Sequence, residues 1–193
     1  MKRELSIQDN RQNILDAALH LFTTRGFHAT PTSAICKKAG VASGTLFHYF
    51  PDKTTLIGEL YLSIKSEMSK VFSEADIKDL PLKERTEKIL WAYLEWGIEN
   101  PEKEQFVMQF CNSPNIAEEV RKEAHSQFTW TDEIIVQGIK LGIFVDVPLE
   151  IFQVYLYRSA TGLLELIREN NTDLPLEELF NYYIHVFWNG VLK

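Results

Sequence analysis

Residues 30–53 constrain this chain more than any other stretch, because they specify two short helices and the tight turn between them. They read Thr-Pro-Thr-Ser-Ala-Ile-Cys-Lys-Lys-Ala-Gly-Val-Ala-Ser-Gly-Thr-Leu-Phe-His-Tyr-Phe-Pro-Asp-Lys. Thr30 suits an N-cap, since its hydroxyl can accept from a free backbone N–H at a helix start. Pro31 then falls at the first helical position, where a missing N–H costs nothing. Ile35 and Ala39 lie four apart and share a face. Gly40 is placed for a left-handed stop, and Val41 plugs the turn. A second helix is expected from about Ala42 to Phe50, with Leu46 and Phe50 inward, and Pro51-Asp52 ends it and caps the next. This is helix-turn-helix spacing. Such a unit can set its second helix in the major groove of DNA.

Charge tests that expectation. The net charge of -7 argues against a general polyanion binder. Its distribution argues otherwise. Residues 1–53 hold Lys2, Arg3, Arg11, Arg25, Lys37, Lys38 and Lys53 against Glu4, Asp9, Asp16 and Asp52, a balance of +3, which leaves -10 for the remainder. A basic head on an acidic body confines non-specific attraction to the head.

The 193 residues allow one large domain or two small ones, and 45% hydrophobic with 24% charged residues is ordinary globular composition. Cys36 and Cys111 stand far apart without metal-ligand neighbours, so reduced thiols, no metal and no cofactor are expected. Met1-Lys2-Arg3 is basic, but no apolar run follows it, so no signal peptide is read. No stretch approaches the roughly 20 apolar residues of a membrane span. A cytoplasmic chain without a membrane partner is expected.

Periodicity divides the chain into about nine helices and no strand, an all-α fold. Residues 1–8 read as a loose polar arm. Asp9 to Thr24 carries apolar residues at helical spacing, with Asp9 or Asn10 as cap and Gly26 as stop. A fourth helix starts at Asp52 and reaches about Ser73. Helices follow over Leu82–Asn100, 102–111, Ile116–Leu141, Pro148 to about Asn170, and Leu176–Leu192. The expected domains are 1–53, the helix-turn-helix head, and 54–193, a helical body. The last two helices are apolar nearly all round, from Leu149, Ile151, Phe152, Val154 and Tyr155 to Tyr182, Val186, Phe187 and Trp188. A surface helix shows one stripe. The excess points to a homodimer through the last two helices of each chain, the plain alternative being two core helices of a monomer.

The run from Ala39 to Lys53 resembles the signature of the TetR family of bacterial transcriptional regulators. Ile14, Leu15, Ala17, Ala18, Leu21, Phe22, Gly26, Phe27, Ala29 and Thr30 are similar to that family's first helix and following turn. The resemblance covers roughly the first 60 residues. It implies a homodimer on a palindromic operator in double-stranded DNA. It also implies roles by position: Thr32 and Ser33 at phosphate, Ser43, Gly44, Thr45 and Phe47 facing the groove, His48 and Tyr49 clamping phosphates, and Lys53 binding phosphate. Their chemistry suits the tasks: hydroxyls and free N–H groups at a helix start attract an anion, and an apolar ring suits a thymine methyl. Two departures stand out. Many members carry lysine where this chain has Ser43 and tyrosine where it has Phe47, so its reading surface is less basic.

The same resemblance implies a cavity in the body for an unknown small-molecule effector. Trp91, Trp96, Phe106, Phe110, Phe128, Trp130 and Tyr155 are the candidate lining, since aromatic side chains suit an apolar ligand, although for any one of them plain core is the better reading. Gln109, His125, Glu133 and Arg158 read as solvated polar groups. The leading expectation is a ligand-responsive repressor. The alternative is an architectural or cell-division DNA-binding protein of the same fold, with a filled body and no inducer. No Ser-His-Asp, His-Glu-x-x-His or phosphate-loop pattern occurs, so an enzyme is not expected.

Overall fold

The first helix of the computed structural model, α1 (Lys2–Arg25), runs straight through the positions where a cap was expected. The structure describes residues 2–169 and 172–192. No glycine or proline interrupts the chain from Lys2 to Asp9, so the arm expected to be loose continues the helix, and Asp9 and Asn10 lie within it. Met1 lies outside the described residues, as does Asn170, the expected end of the helix that opens at Pro148. After α1 come α2 (Thr32–Ala39), α3 (Ser43–Tyr49), α4 (Lys53–Ala75), α5 (Leu82–Glu99), α6 (Pro101–Phe110), α7 (Glu118–Ser126), α8 (Thr129–Lys140), α9 (Leu149–Arg168) and α10 (Leu176–Val191). Among the described residues there is no strand, only an isolated antiparallel bridge between Phe144 and Leu192. The all-α class therefore holds.

Among the described residues ten helices stand where about nine were expected. The single helix read from Ile116 to Leu141 is broken between α7 and α8. Phe128 leaves the helical region at φ -114, ψ 7. Its ring turns toward Phe72 (centroids 6.4 Å apart), and the Ser69 hydroxyl donates to the Gln127 carbonyl (2.5 Å). Tertiary partners, not a proline or glycine, make the break.

The chain packs as two units, one formed by the residues up to Glu67 with Asn100–Ser126, the other by Met68–Glu99 with the residues from Gln127 onward. The first unit holds α4 as far as Glu67, α6 and α7 together with the helix-turn-helix; the expected division at residue 53 is one of function.

In the first unit α1 packs on α2, α3 and α6. Ile14, Ala18, Phe22, Ile35, Leu46, Phe50, Leu56, Ile57 and Phe106 are wholly buried. Removing a side chain of Leu, Ile or Phe size from water in this way is worth roughly 1.5–3 kcal/mol. Phe22 stands 5.6 Å from Phe27 and 6.4 Å from Phe110, ring to ring. Ion pairs Arg11–Glu59 (2.6 Å) and Lys103–Glu67 (2.6 Å) lie at its surface, where each adds at most about 1 kcal/mol, and His20 Nδ1 shares a hydrogen bond with Glu102 Oε1 (2.7 Å).

In the second unit α9 packs on α5, α8 and α10. Two close approaches need glycine. A Cβ on Gly97 would lie 2.6 Å from Leu164 Cδ1, and one on Gly138 would lie 2.2 Å from the Phe144 ring. Phe144 is buried between Phe152 (5.2 Å) and Trp188 (5.9 Å), and the next residue, Val145, donates its N–H to Val191 O (2.8 Å). The buried carboxylate of Asp76 accepts from Arg85 Nε (2.7 Å) and from Lys78. Helices α9 and α10 each bury one face, through Phe152, Leu163 and Leu164 and through Leu179, Phe187 and Trp188. Their other faces leave Ile151 59%, Val154 60%, Tyr182 59% and Val186 64% exposed.

Candidate nucleic-acid interface

Helix α2 starts one residue later than Pro31, and the cause is Thr30. Its hydroxyl does not cap α2. It donates backward to Leu21 O (3.1 Å) and Gly26 O (2.8 Å), tying the end of α1 to the turn. Pro31, extended at φ -71 and ψ 150, takes the cap position without a side-chain hydrogen bond. Thr32 and Ser33 therefore occupy the first turn of α2, half-buried and exposed respectively, where a helix start leaves N–H groups without intrahelical acceptors. Gly40 stops α2 in the left-handed region at φ 70, its N–H donating to Cys36 O.

Ala42, extended, precedes α3, which begins at Ser43. Leu46 is wholly buried, as is Phe50 just past the helix end. Ser43, Gly44, Phe47 and His48 are exposed, and Thr45 and Tyr49 are half-buried. Positions 43 and 47, and 44 and 48, are four apart, so the exposed set forms one face. The Phe47 ring is 47% exposed, although an aromatic ring is usually buried. His48 and Tyr49 meet edge to face at 5.3 Å. Lys37 and Lys38 are exposed in the last turn of α2.

Asp52 caps α4 as expected, its Oδ1 accepting from the Thr55 N–H (2.7 Å). The Thr55 backbone N–H and hydroxyl hold its carboxyl below the usual aspartate value. Lys53 is half-buried. Its ammonium donates to Phe27 O (2.8 Å) and Thr30 O (3.1 Å) and lies 4.1 Å from the Phe27 ring centroid. The structure thus gathers Ser43, Gly44, Phe47 and His48 on one exposed face of α3, with Thr45 and Tyr49 at its margin, and turns the Lys53 ammonium inward.

The seven aromatic residues expected around an effector divide between the two units. Phe106 and Phe110 pair at 4.8 Å in the first unit. In the second, Trp96 and Phe128 both face Phe72. Trp130 Nε1 donates to Ser69 Oγ (3.3 Å), Trp91 meets Phe180 at 4.9 Å, and Tyr155 stacks on Phe187 at 5.8 Å. An apolar cavity of about 40 Å³ in the second unit is lined instead by Ile89, Leu90, Ile134, Ile135, Phe144, Phe152 and Leu156, with Thr86 and Thr131. Both threonine hydroxyls donate to carbonyls of their own helical turns, at Leu82 (2.9 Å) and Phe128 (2.7 Å). The cavity wall therefore offers a ligand no free hydroxyl proton. Sequence reasoning missed this lining because aliphatic cavity residues carry the same periodicity as aliphatic core. Gln109, His125, Glu133 and Arg158 are all exposed. Among the described residues no group of three or more His, Cys, Asp or Glu is placed to hold a metal ion, and no helix is long and apolar enough to cross a membrane.

Comparison with known proteins agrees with this geometry. Residues 14–60 match the family model for bacterial regulatory proteins, tetR family. Over 88 residues the chain is 34% identical to the HTH-type transcriptional regulator YhgD of Bacillus subtilis (strain 168), a stretch covering 46% of each chain. The matched stretches span less than half the length of the curated relatives. The likeness extends over the whole fold in a crystal structure of a tetR family transcription regulator from Shewanella sp. PV-4. That chain is 31% identical, with a TM-score of 0.88 and coverage of 95% of this chain and 98% of the other. FadR from Bacillus subtilis, crystallised with stearoyl-CoA, shares the fold at TM-score 0.74 and 20% identity, covering 93% of this chain and 98% of FadR.

Proposed function

Because the chain belongs to the TetR family of bacterial regulatory proteins, we propose that it is a DNA-binding transcriptional regulator, specifically a repressor that leaves its operator when a small, largely apolar molecule binds the body. The observation that carries the reading is the exposed face of α3. Ser43, Gly44, Phe47 and His48 stand open to solvent on a helix whose opposite face, at Leu46, is wholly buried. A rigid inner face and an open outer one are what insertion into a major groove requires. Thr45 and Phe47 read base edges. Gly44 lets the backbone approach. Thr32, Ser33, His48 and Tyr49 hold phosphates, and such contacts set register without sequence information.

The functional division is 1–53 for reading DNA and 54–193 for sensing and dimerisation. The homodimer forms through the open face of α9 and α10, where Ile151, Val154, Tyr182 and Val186 would otherwise remain in water. Two heads must then sit about 34 Å apart, or a multiple, on a palindromic operator. Helix α4 is continuous from Lys53 to Ala75, so a ligand that displaces its far end alters that spacing. The apolar cavity of about 40 Å³ has room for only a few atoms, so an effector of acyl length parts its walls on entry. The ligand need favour the wrong spacing by only a few kcal/mol.

The test adds long-chain acyl-CoA, free fatty acid and a hydrophobic aromatic acid in turn to the purified protein on its operator. The reading expects at least one to raise the melting temperature and release DNA. Operator binding with no response to any apolar compound class contradicts the sensor and favours the architectural or cell-division alternative.

A further inference from the structure

We infer that the apolar cavity of the second unit seats the unsubstituted end of a straight alkyl chain, so that the effector carries its polar group at the opposite end. The inference rests on the reading of this chain as a ligand-responsive regulator, and it names the part of the ligand that the cavity takes. The walls include Ile89 on α5, Ile134 and Ile135 on α8, Leu156 on α9, and Phe144 between α8 and α9. None of these side chains can make a hydrogen bond. Thr86 and Thr131 complete the lining, but their hydroxyl protons go to Leu82 O (2.9 Å) and Phe128 O (2.7 Å). A buried water needs roughly two to four polar partners, and a cavity that lacks them stays dry and takes an apolar guest.

Size selects among apolar guests. A sphere the size of a water molecule takes about 10–15 Å³, so a space of about 40 Å³ holds roughly three methylene-sized groups. The end of an alkyl chain fits, whereas a six-carbon ring requires the walls to move. The Phe144 wall resists such movement. Its ring lies between Phe152 (5.2 Å) and Trp188 (5.9 Å) and so close to Gly138 that a Cβ there would meet it at 2.2 Å. A terminal hydroxyl is rejected on other grounds, because it exchanges water for walls that offer its oxygen no donor. The α5 wall is also fastened to α4. Thr86 follows Arg85, whose Nε donates to Asp76 Oδ1 (2.7 Å), the residue just past the end of α4. A chain end that presses on α5 therefore presses on the end of α4.

The experiment follows the isoleucine and leucine methyl signals of the full-length protein by NMR, without DNA. Xenon, decanoic acid and the ω-hydroxy analogue of decanoic acid are added in turn, the acids below the concentrations at which they form micelles. The seat predicts that xenon and decanoic acid each shift the methyls of Ile89, Ile134, Ile135 and Leu156. The ω-hydroxy acid should bind about tenfold or more weakly. Leu156→Phe, which fills the space, should abolish the xenon shifts at the isoleucines and weaken decanoic acid by about tenfold or more. Should it not fold, Ile89→Phe carries the same comparison, since both side chains are only half-buried. No binding of decanoic acid, equal affinity for the two acids, or undiminished binding of decanoic acid in the filled variant overturns the proposal. Operator release by decanoic acid is measured separately. Binding at these methyls without release refutes the ligand-responsive reading and leaves the seat standing, whereas release without any shift at these methyls refutes the seat alone.

Discussion

Thr45 and Tyr49 lie one turn apart on α3, and the proposed function gives them different roles on DNA. A hydroxyl at a base edge discriminates sequence, and a correctly paired side chain is worth about 1–3 kcal/mol against the wrong base. A phosphate clamp holds any sequence equally. Thr45→Ala is therefore expected to change which duplex is preferred, and Tyr49→Ala to weaken all duplexes alike, as read from affinities on a panel of operator variants. Asp76 makes a different residue-scale prediction, about stability. Burial pushes its carboxyl up, but the hydrogen bonds and charges of Arg85 and Lys78 outweigh burial and bring it below 3.8. Because the folded value is depressed, the stabilisation is fully present above the ordinary aspartate range and is lost as pH falls through the lower folded value. Asp76→Asn should be less stable than wild type at neutral pH, with the gap closing below about pH 4, in denaturation series run across pH. A constant gap would contradict it.

At the scale of elements, the helix-turn-helix was legible because local chemistry decides it. Gly40 needs its left-handed turn, and Leu46 and Phe50 need burial whatever surrounds them. Thr30 was misread because its hydroxyl had two possible partners, and only the folded turn brings Leu21 O and Gly26 O within reach. The break between α7 and α8 was invisible for a similar reason, since Ser69 and Phe72 lie far away in sequence. The cavity lining was illegible because packing, not pattern, separates cavity from core. The Phe144 segment is another tertiary feature, and it depends on Gly138. Gly138→Ala drives a Cβ into the Phe144 ring and should destabilise the fold by about 1–3 kcal/mol, measured by chemical denaturation, while Gly162→Ala, which meets open space, should not.

At the scale of the whole molecule, the proposed regulator is a pair of chains. The sequence showed α9 and α10 to be over-apolar. In the structure each buries one face and leaves the other open, and the proposed homodimer would cover that open face. Val186, at 64% exposure, makes few demands on the fold of a single chain. Val186→Glu should leave the helical content intact and turn a dimer of twice 22.4 kDa into a monomer by light scattering. A wild-type monomer at micromolar concentration would contradict the dimer.

The central claim, a sequence-reading DNA regulator, is tested most directly by binding of the purified protein to duplex DNA flanking its own gene, against an unrelated duplex of equal length. The account predicts a clear preference for one palindromic segment, with affinity falling steeply as salt rises. Binding to no duplex even at low salt, or equal binding to every duplex, would contradict it.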